Sequence, residues 1–198
     1  MTDTIDIIDH LIGAQPGSTA DGLRTRRPIT REHAQKSWLA LFSPSDASQV
    51  SLTERFAVAV FVAHLHGQQH IADFYAEKLT TTENGADLLP TIRAAAESGR
   101  ADGPYGHYPD GPLSAENTDG PKLVLAETER HALGERLAAA LEHTYLLTLH
   151  PRDARPSDLQ KLLDAGWSTT GVVTLSQLVS FLAFQIRVVA GLKILAAA

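Results

Sequence analysis

An apolar tract near the end of the chain limits most strongly how this protein can fold. Residues 172–195 are apolar on nearly every side of a helix. A helix of this kind is covered by other helices, in the centre of a bundle or between subunits. The tract is interrupted by Gln177, Gln185, Arg187 and Lys193, which a free-standing transmembrane helix rarely keeps. The tract therefore predicts a core helix and no membrane partner.

Helical periodicity also dominates the rest of the sequence, and no segment has a convincing run of the strict alternation that marks a strand. The predicted helices cover residues 5–12, 30–42, 53–66, 68–79, 86–98 and 123–149, a short segment that begins at Pro156 and stops before Gly166, and a last segment that begins at Thr169 or Thr170. Residues 15–28 are predicted to be a loop. The sequence thus predicts a single-domain, all-α bundle of about seven to nine helices. Residues 1–50 are expected to pack on a core of residues 51–198.

A Gly- and Pro-rich segment, residues 99–121, separates two of the predicted helices. Loops of this length are disordered, are surface connectors, or act as lids and binding loops. Tyr105, His107 and Tyr108 lie in its middle. We expect a surface connector with a few packed aromatic side chains, and keep Tyr105 and His107 as candidate substrate-binding residues.

Charge and composition exclude several classes of protein. The net charge is -6, and the basic residues are scattered except for the short cluster at residues 24–27, so a nucleic-acid partner is not expected. The sequence contains no cysteine, which excludes disulfides, thiolate metal sites and thiol redox chemistry. The first residues, MTDTIDIIDHLIG, lack the basic segment that begins a secretory signal. A cytoplasmic location is therefore expected.

Two stretches carry a resemblance to a known family. SLTERFAVAVFVAHLHGQQHIADFYAEKL, residues 51–79, resembles the core helical hairpin of the carboxymuconolactone decarboxylase / alkylhydroperoxidase-D (AhpD-like) family. Leu65-His66-Gly67 stands where that family has Leu-Asn-Gly at the bend. DARPSDLQKLLDAGWSTTGVVTLSQLVSFLAFQIRVVAGLKIL, residues 153–195, is similar to the peroxidase-related branch, in which a short helix, an Ala-Gly break and a long helix ending in Arg-x-x-x-Gly-Leu recur.

The resemblance implies an AhpD-like bundle, but the residues of the family's redox site are missing. That site consists of Cys-x-x-Cys-x-x-x-His with a Glu twelve residues before the first Cys. One thiolate attacks the peroxide and the second resolves the sulfenic acid. The matching positions here are Phe56, Gln68, Ile71 and Tyr75. None of these side chains can act as the nucleophile, so the thiol peroxidase mechanism is excluded.

A cofactor-free acid–base enzyme is one alternative function. The decarboxylases of the family act on small carboxylated lactones, and a lyase, isomerase or hydrolase of that kind needs groups that move protons. His66, His70 and Tyr75 are the candidate catalytic residues, and Arg187 is the candidate that binds the substrate carboxylate.

Arg187 also has a structural interpretation. A guanidinium in a helix that is apolar nearly all round needs an anionic partner or a water-filled cavity. We expect an ion pair across the bundle or a subunit boundary, with Glu54, Glu127 or Glu129.

A metal-dependent oxidase or peroxidase is the second alternative. His66 and His70 are spaced i, i+4, and Asp73 continues the same stripe. However, Gly67 is expected to break the helix between the two histidines, and Glu77 would lie about 16 Å along the axis from His66. The stripe is also typical of a solvated helix face. We therefore predict no metal site and no cofactor.

The function expected first is that of an AhpD-like protein without thiol chemistry, with an altered pocket near Gln68, His70 and Tyr75. Such a protein would bind a small molecule or act as a non-catalytic partner of an active homologue. The resemblance further implies a homo-oligomer, commonly a dimer, trimer or hexamer, which is compatible with the apolar last helix.

Overall fold

A computed structural model describes residues 5–197, and within that range the chain forms ten α-helices and two 3₁₀ turns. The helices are α1 (Ile7–Ile12), α2 (Thr19–Thr25), α3 (Pro28–Phe42), α4 (Leu52–Leu65), α5 (Gln69–Thr80), α6 (Gly85–Ser98), α7 (Glu127–Leu133), α8 (Glu135–Leu149), α9 (Pro156–Asp164) and α10 (Thr169–Ala197). No strand occurs in these residues, and one isolated antiparallel bridge joins Gly106 to Thr118. The all-α prediction is confirmed.

The central element of the core is α4, which packs against α5, α6, α8 and α10. Every residue from Arg55 to Ala63 in this helix is buried. Its first turn is closed by a capping box, in which Ser51 and Glu54 bond to each other's backbone N–H groups. Because α4 is apolar on all sides, surrounding helices can bury all of its faces at once.

The last helix, α10, is only partly covered. It buries residues such as Leu175, Leu178 and Leu182 against the other helices, while Phe184 and Ile194 are exposed. By length and composition α10 could cross a membrane, but the core helix of a soluble protein passes the same test. In its most apolar 18-residue window 39% of the residues are buried inside the chain.

The prediction of a loop over residues 15–28 is wrong, because α2 lies there. Ser18 caps this helix by accepting a hydrogen bond from the backbone N–H of Asp21. The buried Arg24 then donates to Asp6 at 2.9 Å and to Asp9 at 2.7 Å, both at the start of the chain. Capping and tertiary ion pairs stabilise α2 in place of an apolar stripe, so hydrophobic periodicity did not reveal it.

The prediction of one helix over residues 123–149 is also wrong. Gly134 adopts φ +76° and separates α7 from α8, and residues 123–126 are not helical. The apolar residues Leu133 and Leu137 continue the stripe across the break, which is why periodicity alone joined the two helices. The sequence predicted about seven to nine helices. Because of α2 and this break, the described residues form ten.

Other local predictions are confirmed. Gly67 adopts φ +64° between α4 and α5, as expected for a helix break at this residue. Pro156 is the first residue of α9, and Gly166, with φ +88°, follows the end of that helix.

Candidate functional site

Three of the four positions that were matched to the redox motif are buried, whereas Gln68 is half-buried directly before α5. Tyr75 is 0% exposed and its hydroxyl donates to Oε1 of Gln185 at 2.6 Å. Its ring centroid lies 6.4 Å from that of Phe56. Phe42 of α3 packs on both rings, with centroid distances of 5.1 Å to Tyr75 and 5.3 Å to Phe56. Ile71 is buried one turn before Tyr75. At Tyr75, one of the residues expected to line a pocket, the side chains therefore form a packed aromatic cluster.

Burial also determines the chemical state of Tyr75. It raises the pKa of the phenol, more than the hydrogen bond to Gln185 lowers it. The phenol stays protonated and acts as a hydrogen-bond donor to an amide oxygen, without contact to solvent.

The two candidate catalytic histidines do not share a site with Tyr75. His66 caps the end of α4, and its Nδ1 lies 2.9 Å from the carbonyl oxygen of Val62. Burial lowers the pKa of His66, with a smaller contribution from the positive charge of Arg187. His70 is exposed on α5, whereas Tyr75 on the same helix is fully buried. The three side chains therefore do not surround one substrate-sized space.

A metal site at His66, His70 and Asp73 is not formed either. In residues 5–197 no group of three or more His, Asp or Glu side chains could hold a metal ion. Asp73 instead accepts a hydrogen bond from Gln69 at 2.8 Å on the outer face of α5.

The predicted ion pair of Arg187 is wrong within the chain. Arg187 is exposed and donates to the carbonyl oxygen of Ala183, one turn earlier in α10. Glu54 pairs with Arg136 at 2.6 Å, and Glu129 bonds the backbone N–H of Ala126. The reason is that Arg187 lies on the outward face of α10, where water solvates the guanidinium.

The loop at residues 99–121 packs against the end of α8, as expected for a connector with packed aromatic residues. The backbone N–H of Tyr105 donates to the carbonyl of Leu149 at 2.6 Å, and its ring lies 5.3 Å from that of His150. His107 is exposed and lies 3.1 Å from Asp119. Tyr105 and His107 therefore contact the loop and the end of α8. Neither contacts His66 or Arg187.

A groove of about 690 Å³ runs between α8, α9 and residues 122–124, and we call it the α8–α9 groove. His143 lies in its lining and is 5% exposed. Neither ring nitrogen of His143 has a hydrogen-bond partner among the described residues. Unpartnered buried polar groups are rare in folded proteins, and each is a candidate for a bound ligand or water. His143 lies within the apolar stripe of α8, so hydrophobic periodicity gives no sign of its role.

One wall of the α8–α9 groove is held in place by a second histidine. His150 is buried, with Nδ1 3.0 Å from Oδ2 of Asp153 and Nε2 2.7 Å from the carbonyl oxygen of Pro121. The hydroxyl of Tyr145 donates to the same carbonyl at 3.0 Å. Burial raises the pKa of Asp153, but the hydrogen bonds from His150 and His107 bring it below its ordinary value. These bonds fix residues 122–124 along α8.

A second groove, of about 510 Å³, surrounds Arg136, whose side chain bonds to residues on several sides of it. Arg136 donates to Glu54, to the carbonyl of Gly166 at 2.6 Å and to the carbonyl of Gln49 at 2.7 Å. Its guanidinium also lies 4.1 Å from the ring of Trp167. With these contacts Arg136 joins α8 to neighbouring segments, and the α8–α9 groove remains the better candidate for a ligand.

Comparison with protein-family models, curated proteins and solved structures finds no match to this chain.

Proposed function

We propose that this protein is an AhpD-like helical protein without thiol peroxidase chemistry, which binds a small molecule or acts as a non-catalytic partner of an active homologue. It would do so as a cytoplasmic homo-oligomer. The observation that carries the proposal is the aromatic packing around Tyr75, whose hydroxyl is buried and bonded to Gln185. Three of the four positions matched to the family's redox residues are buried in the core, and none of the four carries a thiol.

The order of the elements supports the AhpD-like assignment. The buried α4 is followed by a bend at Gly67 and by α5, in line with the hairpin that residues 51–79 resemble. The short helix α9, the break at Gly166 and the long α10 follow in the same order as in the second stretch.

The packing argues against peroxide reduction and against acid–base catalysis at the hairpin. The sequence provides no thiol, and Ile71 is completely buried. A general acid must reach the proton acceptor of a bound substrate, directly or through one water. The hydroxyl of Tyr75 cannot do so, because the side chain is 0% exposed and the hydroxyl is already bonded to Gln185.

Activity and binding assays on the purified full chain test this proposal. With a dithiol reductant and either hydrogen peroxide or tert-butyl hydroperoxide, we expect peroxide loss no faster than in buffer. Ligand-observed NMR with a set of small apolar compounds should in contrast detect binding. Thiol-dependent turnover would contradict the proposal. Decarboxylation of a carboxylated lactone would also contradict the proposal if His70→Ala abolishes it. The control is His33→Ala, which alters an exposed residue and should retain that activity.

A further inference from the structure

The α8–α9 groove contains a hydrogen-bonding group that the fold leaves unused. His143 and His150 both lie in its lining and both are buried. The nitrogens of His150 contact a carboxylate and a carbonyl, whereas those of His143 contact no polar atom among residues 5–197. His150 is therefore explained by its role in holding the groove wall, and His143 has no such role.

His143 is suited to an uncharged partner. Burial lowers the pKa of its imidazole, more than the nearby carboxylate of Asp158 raises it, so the ring is neutral at neutral pH. A neutral imidazole has one N–H donor and one acceptor nitrogen. A hydroxyl group can satisfy either nitrogen, because it both donates and accepts. Both nitrogens are enclosed by neighbouring side chains, so a hydroxyl reaches them only after these side chains move aside.

The charges of the groove disfavour an anionic ligand. Its lining carries five carboxylates against three basic side chains. Arg130 is already bonded to Glu135 and Glu142, both at 2.7 Å, and Lys161 to Asp158 at 3.0 Å. Lys122, the third basic residue, is exposed, so a carboxylate entering the groove would lose hydration and gain only a solvated cation as its partner.

The remaining lining provides apolar contact. Leu123, Val124, Ala139 and Leu146 contribute to the walls on both sides of His143. Ligand sites of this kind combine mostly apolar walls with a few polar groups that fix orientation.

We propose that the α8–α9 groove binds an uncharged, mainly apolar small molecule that carries a hydroxyl group, with His143 as the residue that bonds this hydroxyl. The inference rests on the small-molecule binding proposed above and adds its place and ligand class.

Three probes that share the naphthalene ring system test the ligand class. 2-Naphthol is uncharged and has a hydroxyl, 2-naphthoate is anionic, and naphthalene has no polar group. Titrations at pH 7.5 followed by NMR of methyl-labelled protein give each affinity and its place. We expect 2-naphthol to bind about tenfold more tightly than naphthalene and 2-naphthoate to bind more weakly than 2-naphthol. The perturbed methyl groups should be those of Leu123, Val124, Ala139 and Leu146.

The variant His143→Leu tests the assigned residue. It removes a buried polar group that has no partner, so the fold should be retained. We expect its affinity for 2-naphthol to fall to within about twofold of that for naphthalene, whose binding should be unchanged. His131→Leu is the matched control, because His131 is exposed on α7, and it should keep the wild-type preference.

Several results would overturn the inference: equal affinities for 2-naphthol and naphthalene, tightest binding of 2-naphthoate, or a hydroxyl preference that survives in His143→Leu. Methyl perturbations confined to α4 and α5 would place the ligand elsewhere, which contradicts the groove but leaves the proposed function standing. Thiol-dependent peroxide turnover would have the opposite effect, since it contradicts the proposed function and does not depend on binding in the groove.

Discussion

At the scale of single residues, Tyr75 shows how the environment decides the role of a side chain. In sequence it stands at the position of a catalytic histidine and could be a proton donor. In the structure its hydroxyl is bonded to Gln185, which lies 110 residues later in the chain. Such a pairing depends on how α5 and α10 meet, and no local pattern in either segment reveals it.

The replacement Tyr75→Phe tests this structural role. It removes the donor and leaves the Oε1 atom of the buried Gln185 without a partner, which should lower the free energy of unfolding by about 1–3 kcal/mol. Urea denaturation measures the change. Tyr108→Phe is a suitable control, because Tyr108 is only half-buried in the loop, and it should change the value by less than about 0.5 kcal/mol.

A second replacement distinguishes a lost hydrogen bond from a packing defect. In Tyr75→Phe/Gln185→Leu both polar partners are gone, and we expect most of the lost stability to return. Equal stability of wild type and Tyr75→Phe would show that the bond does not hold α5 to α10.

At the scale of elements, two glycines with a positive φ were not equally visible in the sequence. Gly67 follows an apolar run and precedes a polar one, so the change in composition indicated the bend. Gly134 lies inside a continuing apolar stripe and gave no such signal, although its φ of +76° also ends a helix. A helix boundary is predictable where the side-chain pattern changes with the backbone.

The bend at Gly67 makes its replacement unfavourable. In Gly67→Ala the alanine would have to keep the left-handed φ of +64°. Its Cβ atom would lie 3.0 Å from Nη2 of Arg100. We expect the free energy of unfolding to fall by roughly 1–2 kcal/mol in thermal or urea denaturation.

The matched control is Gly22→Ala in α2. This glycine has open space around the added Cβ atom and an ordinary helical backbone, so the change should stabilise the protein by about 0.5–1 kcal/mol. If both variants shift stability in the same direction, strain at Gly67 is not the cause.

At the scale of the whole molecule, α10 presents an uncovered face. Phe184 is 40% exposed and Ile194 72% exposed, with Arg187 between them on the same side. Exposed apolar side chains that follow one helix face favour contact with another subunit. Such a contact would account for the apolar side chains of α10 that the described residues leave exposed.

We therefore predict that the protein is a homo-oligomer through α10. Multi-angle light scattering should give a mass that is a multiple of the 21.3 kDa chain, and Phe184→Glu/Ile194→Glu should reduce it. The control Leu113→Glu alters a side chain that is 51% exposed in the loop and should leave the mass unchanged. A monomeric wild type at all concentrations tested would refute the prediction.

Local sequence patterns and composition are sufficient to predict the helical class, most helix positions and the lack of a thiol. These properties depend on local periodicity, on glycine and proline at helix ends, and on composition, all of which can be read along the chain. Hydrophobic periodicity did not predict α2, because this helix is held by ion pairs of Arg24 with Asp6 and Asp9.

Which side chains have hydrogen-bond partners depends on how the helices pack. The order of helices in space paired Tyr75 with Gln185, turned Arg187 outward and enclosed His143 beside the α8–α9 groove. Hydrogen bonds and burial are set by the faces along which distant helices meet, and a one-dimensional pattern does not contain that information.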